Sequence, residues 1–171
     1  MDVKQAENKV DYEKISELVT KLKSHNQTIS MMESCTGGGL ANSITNIAGA
    51  SEVFEFGAVT YSNKAKITIG GEKMKDTIDN YSVYSKEVAE VMAETITKFA
   101  GSTYGIGVTG ELGVSDATDV SRHNNANQVY FSIYDSIKRN YETVHLVLDQ
   151  LERGENKAAI INEIVDKIVV A

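Results

Sequence analysis

Ile15, Leu18, Val19 and Leu22 recur at the spacing of a helix with one apolar face, and Asp11 stands where its N-cap belongs. His25-Asn26 ends that helix. Thr28 to Met32 reads as a short buried strand, and Gly38 to Ile47 returns to helix with Leu40, Ile44 and Ile47 on one side. Gly57 to Tyr61 is a second strand. Ser62 to Ile69 follows as a short helix that Gly70-Gly71 stops. Ser85 caps a helix whose inward face is Val88, Val91, Met92, Ile96 and Phe99, with Gly101 just past its end. Tyr104 to Val108 is a third strand. Gln128 to Tyr134 and Tyr141 to Leu148 alternate like the two arms of an antiparallel hairpin around Asp135–Asn140. Gly154 to Val170 closes the chain as a helix burying Ile160, Ile161, Ile164, Val165 and Ile168. Residues 1–10 are polar and predict a flexible arm, and Ser115 to Asn127 predict a long polar loop. Helices interleaved with short strands, plus one late hairpin, predict one three-layer α/β/α domain over residues 11–171 with a mixed sheet.

Composition narrows the function classes. Among 171 residues there is no proline, so turns fall to Gly, Asn, Asp and Ser. Seventeen Lys and Arg against 24 Asp and Glu give a net charge of −7, which argues against nucleic-acid or membrane-surface partners. A small anionic ligand in a locally positive pocket stays open. No apolar run approaches the roughly 20 residues a membrane span needs, and the start, Met1 to Glu7, is too polar for a signal peptide. The single Cys35 fits a reducing cytoplasm, and one Cys with three scattered His makes a structural zinc site unexpected.

Three segments carry candidate chemistry. In Glu33-Ser34-Cys35-Thr36-Gly37-Gly38-Gly39 a hydroxyl lies between a strand and a helix N-terminus, at the sheet edge where α/β proteins place ligands. Backbone N–H groups there can face an oxyanion or a phosphate. The plainer reading is a Gly-rich turn with Ser34 or Thr36 as an ordinary helix cap. The Gly-Lys-Ser/Thr ending of a phosphate-binding P-loop is missing. In Thr60-Tyr61-Ser62-Asn63-Lys64-Ala65-Lys66, a cap at Ser62 or Asn63 puts Lys66 in the first helical turn, where a cation is disfavoured. A desolvated lysine beside a serine acts as a general base; most lysines are solvated instead. Gly107-Val108-Thr109-Gly110 is a strand-end turn that lines the same crevice or is merely a turn. His25, His123 and His145 read as ordinary histidines rather than bases for Ser34, and Cys35 as a core residue.

Together and in this order, the three segments resemble the C-terminal domain family of the competence/damage-inducible protein CinA, whose stand-alone members include nicotinamide-nucleotide amidase. Glu33 to Gly38 matches its Glu-Ser-Cys-Thr-Gly-Gly, Gly57 to Lys66 its Gly-x-Val-x-Tyr-Ser-Asn-x-x-Lys, and Gly107 to Gly110 its Gly-Val-Thr-Gly. The resemblance runs from about residue 11 to the end. It implies a mixed, mostly parallel five-stranded sheet between helices, a homodimer, and no metal or cofactor. It also implies hydrolysis of the amide of nicotinamide mononucleotide to nicotinate mononucleotide and ammonia. Carried over, Ser34 is the nucleophile, Lys66 its base and Tyr61 a proton relay. Backbone amides around Thr36, Gly37 and Gly38 serve as donors to an oxyanion or phosphate. Asn63, Thr109 and Gly110 line the pocket, with Arg153 and Lys157 on the closing helix as substrate contacts.

Other positions depart from the family pattern. After Thr-Gly the family reads x-Ala-Gly-Pro; here it is Glu111-Leu112-Gly113-Val114. Leu112 adds bulk beside the expected pocket and Glu111 adds a negative charge. Ala126-Asn127-Gln128-Val129-Tyr130 replaces Val-Gly-Thr-Val-Tyr, and Arg153 with Lys157 replaces Arg-x-x-x-Arg, where a lysine lacks the bidentate grip of arginine. Three functions follow: an amidase on a pyridine nucleotide, a catalytically silent or re-specialised nucleotide-binding module of the same fold, or a hydrolase of another small amide or ester. A silent module predicts Lys66 turned to solvent and the crevice filled by Leu112 or the 115–127 loop.

Overall fold

The computed structural model describes residues 9–113, 127–148 and 152–170. In chain order these form α1 (Tyr12–Ser24), β1 (Ile29–Glu33), α2 (Gly39–Thr45), β2 (Phe54–Val59), α3 (Asn63–Tyr81), α4 (Lys86–Ala100), β3 (Tyr104–Gly110), β4 (Gln128–Asp135), β5 (Asn140–Val147) and α5 (Arg153–Val170). The sheet order is β2-β1-β3-β4-β5. β1 pairs parallel with β2 and β3, while β4 runs antiparallel to both β3 and β5, so four of the five strands point one way.

The period-2 alternation of the strands sorts two cores. On one face Ile29, Met31, Ile106, Val108, Val129 and Phe131 pack with Ile15, Leu18 and Leu22 of α1 and with Ile160, Ile161 and Ile164 of α5. On the other, Met32 meets Met74 of α3 and Val88, Met92 and Ile96 of α4. That is the expected three-layer arrangement. α4 comes so close to β3 that a Cβ at Gly107 would stand 2.2 Å from the Ala89 carbonyl oxygen.

Most elements begin where sequence chemistry starts them. Asp11 accepts from the Glu13 and Lys14 N–H groups, Ser62 from Ala65 N–H and Ser85 from Val88 N–H, each as an N-cap. Of the predicted N-terminal arm, residues 1–8 lie outside the described residues. Asn162 holds its end, accepting from Asp11 N–H and donating to the Lys9 carbonyl.

Three expectations are corrected. The helix after Ser62 does not stop at Gly70-Gly71: Gly71 turns to φ 65, ψ −154, a kink that only glycine takes readily, and helix resumes to Tyr81. Phe99 does not face the core. It is 66% exposed in the last turn of α4, past the buried cluster, where its ring meets Phe56 at 4.9 Å. The turn chemistry is also broader than expected, since Arg139 takes φ 55 in the β4–β5 turn. Asp135 makes that turn workable by accepting from the Ile137 and Lys138 N–H groups. The loop from 115 falls outside the described residues until Asn127, as do Val114 and His123.

Candidate active site

β1 and β2 are neighbours in parallel register, with Glu33 opposite Val59, so the chain leaves both strands side by side at their carboxyl ends. Ser34 follows one and Thr60 the other. The first turn of α3 then carries Lys66 back over this edge. Its Nζ donates to Ser34 Oγ at 2.8 Å and to the Thr60 carbonyl at 2.8 Å. Lys66 is only 1% exposed, and burial pushes its ammonium down to about 8. Thr60 is tied in turn to the Glu33 carbonyl by its N–H at 2.7 Å and its hydroxyl at 3.3 Å. Ser34 N–H is fixed by the Val108 carbonyl. Both partners of the serine–lysine pair are thus held by backbone from adjacent strands.

The Gly-rich segment does something the sequence did not disclose. α2 opens on Gly38 in a left-handed conformation with no side-chain cap of the ordinary kind, so neither Ser34 nor Thr36 is its N-cap. Its first N–H groups go instead to the buried carboxylate of Glu33, which accepts from Gly38 and Leu40 at 3.1 Å and from Ala41 at 2.9 Å. The signal was available in principle. A buried acidic residue ending a strand needs donors, and a helix beginning Gly-Gly lacks a side-chain cap. Gly37 N–H is also spent, on the Ser34 carbonyl, and Gly39 N–H on the Thr36 carbonyl. Of this loop's N–H groups that leaves those of Cys35 and Thr36, which face the Cys35 sulfur, a weak acceptor.

A cavity of about 280 Å³ opens on the pair, its wall including Ser34, Cys35, Tyr61, Asn63, Lys66, Gly110, Glu111, Leu112 and Arg153. Leu112 is 4% exposed, belonging to the main core as well as to the wall. Arg153, the first residue of α5, reaches across the mouth and donates to the Leu112 carbonyl and, at 3.1 Å, to the Tyr61 hydroxyl. Burial pushes the Cys35 thiol up to about 12, so it stays protonated beside Ser34. Among the described residues no three His, Cys, Asp or Glu side chains stand together to hold a metal ion.

The family model described as the CinA C-terminal domain matches residues 12–169. The chain belongs to that family. Over 110 residues it is 46% identical to a competence-damage inducible protein, by name, of Thermoanaerobacter pseudethanolicus, a match covering 64% of this chain and 26% of that protein. A similarly named protein of Clostridium botulinum is 48% identical over 97 residues, 57% of this chain and 24% of its own. The chain thus matches about a quarter of the length of these relatives. Among solved structures, the competence damage-inducible protein A of Klebsiella pneumoniae superposes with a TM-score of 0.83 at 23% identity, covering 93% of this chain and 94% of its own. A CinA superfamily protein of Enterobacter cloacae reaches 0.84 at 20% identity, covering 95% and 92%. At those identities the two structures speak for the fold.

Within this CinA-like fold the expected site residues divide. Ser34, Lys66, Tyr61, Asn63, Gly110 and Arg153 share the cavity wall. Tyr61 is 62% exposed and its hydroxyl meets Arg153, placing it at the rim. Thr109 is fully buried and donates to the Val83 carbonyl at 2.8 Å, joining β3 to the loop before α4. Thr36, Gly37 and Gly38 lie behind the wall, the Thr36 hydroxyl buried without a partner among the described residues. Lys157 stands one turn after Arg153 with Nζ 3.1 Å from where a Cβ at Gly37 would be, at the back of the Gly-rich turn. His25 and His145 are engaged elsewhere, with Lys21 and Gln128. No helix among the described residues is long and apolar enough to cross a membrane.

Proposed function

We propose that this protein hydrolyses the amide of nicotinamide mononucleotide to nicotinate mononucleotide and ammonia. The observation that carries the reading is the 2.8 Å contact between Lys66 Nζ and Ser34 Oγ in a buried pair opening on a cavity. Unprotonated Lys66 takes the Ser34 proton as Oγ bonds to the carboxamide carbon, and the oxyanion, a stronger acceptor than the Cys35 sulfur, draws the Cys35 N–H group to itself. Lys66 returns the proton to the amide nitrogen as the C–N bond breaks and ammonia leaves. Water, losing its proton to Lys66, then cleaves the ester, giving the carboxylate and restoring the serine. Tyr61, hydrogen-bonded to Arg153, borders the mouth, and Arg153 faces the phosphate, while Lys157 stands behind the Gly-rich turn. An amide is a weak electrophile, so an activated nucleophile and pre-aimed donors are what the reaction needs.

A silent nucleotide-binding module is less well supported, because Lys66 is turned from solvent onto Ser34 and Leu112 leaves the cavity open. The enzyme acts as a homodimer in the cytoplasm, which sedimentation tests by showing twice the mass of one chain. Chromatography of the mononucleotide after incubation with the protein tests the activity: nicotinate mononucleotide and ammonia should form one for one. Recovery of unchanged mononucleotide alongside a serine that still reacts with small esters would move the substrate to another small amide or ester.

A further inference from the structure

Besides Lys66, the cavity wall carries two charged side chains of opposite sign, Arg153 and Glu111. Among the described residues neither is neutralised by an ion pair. Arg153 gives its hydrogen bonds to neutral acceptors, the Leu112 carbonyl and the Tyr61 hydroxyl. Glu111 is half-buried directly after β3, its backbone fixed by the Gln128 carbonyl at 3.1 Å. Among the described residues no countercharge pairs with this half-buried carboxylate, and a cation entering the same cavity supplies one. The α2 N-terminus, the other natural cradle for an anion, is already filled by Glu33. The cavity is therefore dipolar and suits a ligand carrying both charges rather than a simple anion.

We propose that Glu111 is a specificity-determining residue that selects amides borne on a positively charged ring. Its carboxylate lies against the ring cation while Arg153 faces the anionic end of the same molecule. The proposal rests on the amidase reading of Ser34 and Lys66 and adds to it the charge the ring must carry. A cationic ring also draws electrons from its carboxamide, so the charge that Glu111 reads marks the more reactive electrophile.

The test compares nicotinamide mononucleotide with its reduced dihydropyridine form, which keeps the carboxamide, ribose and phosphate but has an uncharged ring. Calorimetric titration of the Ser34→Ala protein reads binding without turnover. The oxidised form should bind about tenfold more tightly, the scale of one partly screened charge contact. Glu111→Gln should close that gap, Glu111→Asp should keep part of it, and raising the salt concentration should narrow it in the unsubstituted site. Equal binding of the two forms, binding of neither, or a gap that survives Glu111→Gln in full overturns the proposal. Ammonia release by the wild-type protein separates the two readings. Charge-selective binding without ammonia sinks the amidase and leaves the selectivity, whereas equal ammonia from both forms does the reverse.

Discussion

A lysine buried against a serine works as a base only where it loses its proton, so the rate of a Lys66-dependent reaction is set by the unprotonated fraction. With Lys66 pushed down to about 8, hydrolysis should rise with pH, fall about tenfold per unit well below 8 and level above it. The Cys35 thiol beside it does not compete, because it stays protonated across this range. Folding follows the same titration. Between pH about 8 and about 10.4 the unfolded chain holds a proton on this lysine that the folded chain does not, so stability should increase across that window. Chemical denaturation at several pH values checks it, and a flat profile would mean that the lysine keeps its proton. Leu112 gives the second prediction at this scale. Leu112→Ala should cost about 2–5 kcal/mol, since the residue fills core as well as cavity wall. A thermal or urea midpoint unchanged by the substitution would place Leu112 on the cavity side alone.

Glu33 shows how one residue organises an element. Its carboxylate supplies acceptors to the first turn of α2, fixing the helix start and with it the turn that presents Ser34. Glu33→Ala should destabilise the fold by about 1–3 kcal/mol or more, the cost of leaving a buried donor unpaired, and hydrogen exchange should quicken at Gly38, Leu40 and Ala41. Protection retained at those amides would contradict the role. Elements with local causes were legible in the sequence: the Asp11, Ser62 and Ser85 caps, the apolar stripe of α1 and the β4–β5 alternation. Those with distant causes were not. Gly70-Gly71 reads as a stop, and only packing of Met74 and Ile78 with α4 carries α3 through the kink. Phe99 has the right helical period for the core, and its exposure follows from where the cluster ends.

At the scale of the whole molecule, the serine–lysine pair was legible because two strand-end motifs became neighbours through one parallel pairing, β1 against β2. The rest of the site is assembled across greater sequence distance. Arg153 comes from the last helix to meet Leu112 and Tyr61, and Lys157 from the same helix to the back of the Gly-rich turn. Neither placement follows from spacing within one segment. The family pattern named both residues as substrate contacts without giving their positions. The central claim is that this assembly makes Ser34 a nucleophile toward an amide. Ammonia release from nicotinamide mononucleotide tests it most directly, measured near pH 8 for the wild-type, Ser34→Ala and Lys66→Met proteins. The account predicts steady release by the wild type, none above background from Ser34→Ala, and about 10²–10⁴-fold less from Lys66→Met. Release that persists in Ser34→Ala, or a folded wild-type protein that releases none, would contradict it.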